Sequence, residues 1–198
     1  MNNKGVTLIE LLVATAVVGI VALMISLLMT SGTRFFRTES YEVYLQNDAL
    51  IVENQLTDSI IEGRKFFYNE NDIVVGKRAV TFATGSDEYA KCFIWVNDLS
   101  DDDYGKLFVY EAKKYFEAAE NPGAITFSKG ELLCENVTSF LIKAKVLGED
   151  KTLSFANTAS DIDAVKVSVI LSKGGSMTEK SFEVNPRNTY TSFNMETE

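Results

Sequence analysis

From Leu11 to Met29 the chain reads LLVATAVVGIVALMISLLM, 19 residues without a charge. As an α-helix rising ~1.5 Å per residue, that run is long enough to cross a hydrocarbon core of roughly 30 Å. Directly before it stands Glu10. A carboxylate in hydrocarbon costs at least ~2.5–3.5 kcal/mol, so an intramembrane acid marks a function and calls for a partner, unless it snorkels to the membrane surface. A secretory signal peptide does not fit, because its apolar run is about 7–15 residues and is followed by an Ala-x-Ala-type site. Here the triplet Ala14-Thr15-Ala16 lies inside the run. A plain signal anchor fits the length but gives Glu10 no purpose. Lys4 on one side and Arg34 and Arg37 on the other leave the positive-inside rule silent about orientation.

The helical pattern continues past the apolar run. Leu45, Ala49, Val52, Leu56 and Ile60 recur at intervals of 4, 3, 4 and 4, with Asp48, Glu53, Asn54 and Asp58 between them. That is an amphipathic stripe, and Gly63 stands where a C-cap is expected. One helix from Val6 to Glu62 is predicted, about 85 Å long, with Gly32 its weak point. Within its apolar half Thr15, Gly19, Ala22, Ser26, Thr30 and Thr33 lie along one face, and small-residue stripes let membrane helices approach closely. After Gly63 the period becomes two. Strands are predicted at Ile73–Val75, Ala79–Ala83, Lys91–Val96, Leu107–Tyr115, Ala124–Phe127, Val137–Leu147, Ala164–Leu171 and Lys180–Val184, with a hairpin turn in SKGGSMTEK. The pattern implies an α+β fold, an antiparallel β-sheet packed on the preceding helix. Tyr89, Phe93 and Trp95 share one strand face, expected to pack on that helix, with Cys92, Ile94 and Val96 on the other.

Composition narrows the chemistry. A net charge of −9 opposes broad nucleic-acid binding. The absence of histidine removes His-based acid–base chemistry, the usual nucleophile pairs and most zinc sites. Cys92 and Cys134 form either one disulfide, if the domain is exported, or two buried free thiols. In NDLSDDDYGK, Asp98, Asp101 and Asp103 are candidate ligands for a hard cation, but the spacing fits no EF-hand loop and a solvated acidic loop is the favoured reading. Asn136-Val137-Thr138 is a sequon, read as accidental. No catalytic constellation and no cofactor motif is legible.

The opening KGVTLIELLVA resembles the processing signal of type IV prepilins and pseudopilins: a short basic leader ending in Gly, then an apolar helix with Glu four residues beyond the cut. The resemblance implies cleavage by a prepilin peptidase between Gly5 and Val6 and N-methylation of the new amine. It supplies the partner of Glu10, the N-terminal amine of a neighbouring subunit, and gives Thr15, Gly19, Ala22 and Ser26 a role in helix packing during assembly. Val6 departs from the Phe usual in major pilins. GELLCENVTSFLIKA, VKVSVIL and FEVNPRN look like the tail of W-type minor pilins and J-type pseudopilins, carried by Leu133, Val137, Phe140 and Arg187-Asn188.

Four segments follow: leader 1–5, membrane and assembly helix 6–32, amphipathic helix 33–63, and β-rich head 64–198. The implied function is a minor pilin of a type IV filament. The alternatives are a pseudopilin of a type II secretion or DNA-uptake system and, from another class, an uncleaved membrane-anchored binding domain or enzyme. An adhesin carried on the filament, using loops 97–106 and 148–163, is a weaker idea. The implied partners are major and minor pilin subunits, the prepilin peptidase, an inner-membrane assembly platform and membrane lipid before assembly. The implied location is the inner membrane as precursor and an extracellular or envelope-spanning filament afterwards.

Overall fold

The computed structural model describes residues 7–74, 76–86, 88–113, 115, 126–128, 130–153, 157–158 and 162–187. Gly5, Val6, Ala124, Asn188 and part of the 148–163 loop lie outside the described residues. One helix, α1, runs from Leu8 to Glu62 and is unbroken at Gly32. The chain divides into two compact units, Met1–Tyr41 and Glu42–Glu198. In the first unit α1 exposes its large apolar side chains in every direction, from Leu8 to Met29. That helix is long and apolar enough to cross a membrane.

In the second unit α1 buries one face, and Leu45, Ala49, Val52, Leu56 and Ile60 are all among its buried residues, as the sequence periodicity predicts. Eleven described strands follow, in two antiparallel sheets. The first contains β1 (Lys65–Val74), β2 (Lys77–Gly85), β3 (Tyr89–Val96), β4 (Leu107–Lys113), β5 (Thr126–Phe127), β6 (Glu131–Cys134) and β9 (Asn157–Thr158), in the order β5-β4-β3-β2-β1-β9 with β6 also on β4. The second contains β7 (Val137–Val146), β8 (Glu149–Lys151), β10 (Ala164–Lys173) and β11 (Ser176–Val184), in the order β11-β10-β7-β8. One core joins α1 to both sheets. It includes Phe66, Phe82, Phe93 and Leu107 from the first sheet and Phe140, Ile142, Val165, Val167, Val169 and Leu171 from the second. Phe82 stacks between Phe66 and Phe93, with centroid separations of 6.5 and 6.2 Å.

The first sheet is buried on both faces. Ala79, Ala83, Ala90, Cys92, Ile94, Ala112 and Tyr115 form a second cluster on the side away from α1, which is why β2 carries six consecutive buried residues, 79–84. β1 is longer than the predicted Ile73–Val75. Its polar segment Asn69-Glu70-Asn71 contains a register shift between Asn69 and Asp72, and the bulge breaks the alternation that marks a strand in sequence. Phe93 and Trp95 pack on the α1 side as expected, and the Trp95 indole donates to Val137 O at 3.1 Å. Tyr89, at the strand end, is 54% exposed.

Gly63 is required for space rather than as a left-handed cap. Its N–H donates to Ile60 O at 3.2 Å, and a Cβ there would meet Thr84 Oγ1 at 2.1 Å and Phe66 Cε1 at 2.8 Å. Both neighbours are buried, and Thr84 is held by its bond to Ser59 O at 3.2 Å. Gly63→Ala is therefore expected to destabilise the head by about 1–3 kcal/mol, the usual cost of overpacking, as a lowered midpoint in thermal unfolding followed by near-UV circular dichroism.

Candidate functional site

The first turn of α1 accounts for the glutamate. Thr7 donates to Glu10 Oε2 twice, from its backbone N and from Oγ1, each at 2.9 Å, and Glu10 N donates back to Thr7 Oγ1 at 3.3 Å. This reciprocal arrangement is a capping box, which satisfies backbone N–H groups that the helix start leaves without partners. Within the chain, then, Glu10 already has a partner. The signal was present in the sequence as Thr7-Leu8-Ile9-Glu10, the S/T-x-x-E pattern directly before an apolar run.

The small-residue stripe is exposed along the same helix. Thr15 Oγ1 bonds back to Leu11 O and Leu12 O at 3.1 and 2.9 Å. Thr30 does the same to Ser26 O at 2.9 Å, and Thr33 to Met29 O at 3.0 Å. These hydroxyls need no outside acceptor, so they are tolerable in lipid and still offer low relief to a neighbouring helix. Gly19 and Ala22 continue that relief, and a Cβ on Gly19 would meet no atom within 4 Å.

Residues 1–26 match the family model of the prokaryotic N-terminal methylation motif. No curated protein and no solved structure matches the chain. The methylation motif covers Lys4, Gly5, Thr7, Glu10 and the stripe through Ser26. Together with the long apolar helix it fits a type IV pilin-like protein made as a membrane-anchored precursor. It points to a structural subunit that assembles with other pilin subunits, rather than to an enzyme.

Outside the methylation motif, the remaining candidates have structural explanations. Cys92 and Cys134 are both free and buried. Cys92 lies in the cluster on the outer face of the first sheet and Cys134 in the core beneath α1, so the sheet itself separates them. Burial raises both thiols, Cys134 to about 12, and leaves them protonated and unreactive. The acids of the 98–103 loop are not gathered for a cation, and among the described residues no group of three or more metal-ligating side chains occurs. Lys77 instead binds Asp101, at 2.9 Å, and Asp103, while Lys106 binds Asp103 at 2.8 Å. Asp98 accepts from Ser100 N and Oγ at 3.0 and 2.7 Å. Hydrogen bonds to Lys77 and Lys106 hold Asp101 and Asp103 below the usual carboxylate range. Asn136 of the sequon occupies a left-handed turn, φ 63°, with a buried Nδ2 that has no hydrogen-bond partner. That atom is closed to glycosylation.

Asp48 was missed as a residue of interest. It lies on the buried face of α1 at 9% exposure, and its Oδ2 lacks a hydrogen-bond partner. Tyr44 bonds to the carboxyl, Lys173 attracts it and Glu135 repels it, but burial dominates and raises its pKa. Lys173 Nζ also sits 4.5 Å from the centroid of the Tyr44 ring.

Two predictions follow from these sites. Thr7→Ala is expected to cost the start of α1 about 0.5–2 kcal/mol, the worth of an N-cap, measured as faster amide hydrogen exchange at residues 8–11 in micelles. For Asp48 the raised pKa means that the folded state holds the proton more tightly than the unfolded chain does. Its ionisation therefore destabilises the head at neutral pH, and the penalty disappears as pH falls through the raised value towards ~4. Asp48→Asn should be more stable than the parent at pH 7, and the gap should close on acidification in urea titrations across that range. A gap that stays constant with pH would contradict this account.

Proposed function

We propose that the chain is a minor pilin subunit of a type IV filament. The observation that carries the reading is the methylation motif over residues 1–26, with Glu10 the sole charge between Lys4 and Arg34. The chain is inserted as a precursor in the inner membrane and cut by a prepilin peptidase between Gly5 and Val6. Residues 6–32 are the membrane and assembly helix, 33–63 its amphipathic continuation and 64–198 the head.

Cleavage produces a positively charged amine at Val6, one residue from Thr7. In the precursor the Thr7 capping box satisfies Glu10, so the carboxylate is tolerated at the edge of the bilayer before any neighbour arrives. On assembly the same carboxylate accepts the amine of an adjacent subunit, an opposite charge in a low-dielectric setting where such a pair is strong. The stripe Thr15, Gly19, Ala22 and Ser26 gives neighbouring helices close approach. Val6 in place of Phe, the W/J-like tail and the large two-sheet head support a minor rather than a major subunit. The assembly platform and the major and minor pilins are the partners, and no nucleic acid is involved.

The deciding measurement is the intact mass and N-terminal sequence of the protein from cells with and without the prepilin peptidase. The expected result is a methylated chain starting at Val6 only when the peptidase is present, with Glu10→Ala processed normally but lost from filaments. A chain starting at Met1 in both strains would refute the reading.

A further inference from the structure

The charge-free stretch of α1 ends in Arg34-Phe35-Phe36-Arg37. Arg34 and Arg37 stand one turn apart on the same face, where like charges repel. No acidic residue lies three or four positions from either of them, and neither makes an ion pair with another described residue. Helical spacing places Phe35 and Phe36 on the remaining sides. They are 62% and 70% exposed, and their rings meet edge to face at 6.2 Å outside any core. Four consecutive residues thus leave two charges without a counter-ion and two aromatic rings uncovered.

Their position along the helix says what covers them. Leu11–Met29 matches a hydrocarbon core of roughly 30 Å, and the headgroup layers add about 10–15 Å shared between the two sides. Arg34 lies five residues beyond Met29, about 7.5 Å up the axis, and Arg37 about 12 Å. Helical side chains lean towards the N-terminus, here back towards the apolar run. The guanidiniums therefore reach the phosphate level and the rings the apolar boundary beneath it. The intervening Thr30-Ser31-Gly32-Thr33 are small, and a Cβ on Gly32 would meet no atom within 4 Å, so that space is open. Glu39 and Glu42, the first acids after Glu10, stand farther from the run. Basic residues near the bilayer and acidic ones beyond is the order an anionic surface favours.

We propose that Arg34, Phe35, Phe36 and Arg37 form a phospholipid headgroup clamp on the leaflet opposite Glu10. A guanidinium fork matches phosphate oxygens bidentately, and a phosphate shared by the two arginines removes their repulsion. The rings bury apolar surface at the boundary between headgroups and acyl chains. An acidic protein surface would suit the arginines but would leave the rings beside them uncovered. The clamp fixes the depth of the helix, and with it the depth of Glu10, about 36 Å away along the axis. The proposal rests on membrane insertion of α1 and not on the minor-pilin role.

The test uses the full chain, labelled at the arginine guanidinium carbons, in phosphatidylethanolamine–phosphatidylglycerol vesicles and phosphate-free buffer. Solid-state NMR should show these carbons dephased by lipid phosphorus. The Arg34→Gln, Arg37→Gln double variant, which keeps Arg64, Arg78 and Arg187 as labelled sites, should lose the dephasing. For the rings, a membrane-impermeant maleimide reports on Ser31→Cys, because Cys92 and Cys134 are buried. Its labelling rate should rise when Phe35→Ser and Phe36→Ser are combined. Dephasing that persists in the double arginine variant would put the contact elsewhere in the chain and overturn the clamp, as would an unchanged maleimide rate. A chain that floats with the vesicles without dephasing would leave the arginines for a protein surface, overturning the clamp while membrane insertion stands. A chain that does not float would overturn both.

Discussion

One face of α1 organises everything after residue 41. Leu45, Ala49, Val52, Leu56 and Ile60 are withdrawn from water together, and the first and second sheets meet on them. Neither sheet could bury its inner face alone, because each is only a single layer. The helix also fixes its own end from the far side. Thr84 on β2 takes up Ser59 O, and Arg187 N takes up Ile61 O, so groups distant in sequence satisfy carbonyls that a helix C-terminus leaves open. Gly63 keeps the space that lets Thr84 and Phe66 approach.

In the first unit the same helix exposes its apolar side chains. Within the apolar run Thr15 bonds to carbonyls one turn back, and Thr30 and Thr33 do the same just beyond it. Glu10 is held locally by the capping box. This gives the glutamate two successive environments under the proposed function, first its own Thr7 and then a neighbour's amine. A group satisfied in both states can be carried through the bilayer without a large barrier.

In the head, lysines stand beside two of the acids of one loop. In the 98–103 loop, Lys77 on β2 and Lys106 at the loop's end pair with Asp101 and Asp103, whose contribution to stability is present above the ordinary carboxylate pKa and lost as pH falls. Asp48 carries the opposite sign because burial outweighs the attraction of Lys173.

Much was legible in the residues. The long helix, its apolar half and its buried stripe follow from charge-free length and a 3.6-residue period, both local properties. The methylation motif and the capping box are local as well, the latter spelled out in Thr7-Leu8-Ile9-Glu10. Non-local facts were hidden. Cys92 and Cys134 fall on opposite faces of one sheet, Ala79, Ala83, Ala90 and Ala112 form a second buried layer, and the strands divide between two sheets, because strand order is set by pairing between segments far apart in sequence. The left-handed backbone of Leu147, φ 52° in the two-residue β7–β8 turn, is of the same kind. Nothing in Val146-Leu147-Gly148-Glu149 demands a left-handed leucine; the pairing of β7 with β8 and the grip of Asp163 impose it. The sequence by itself determined which segment is long and apolar enough to cross a membrane and which face of the helix is buried, since both depend on spacing along the chain. Only the tertiary structure decided which side chains meet across the sheets, since that depends on register, and a shift of one residue turns every side chain to the other face.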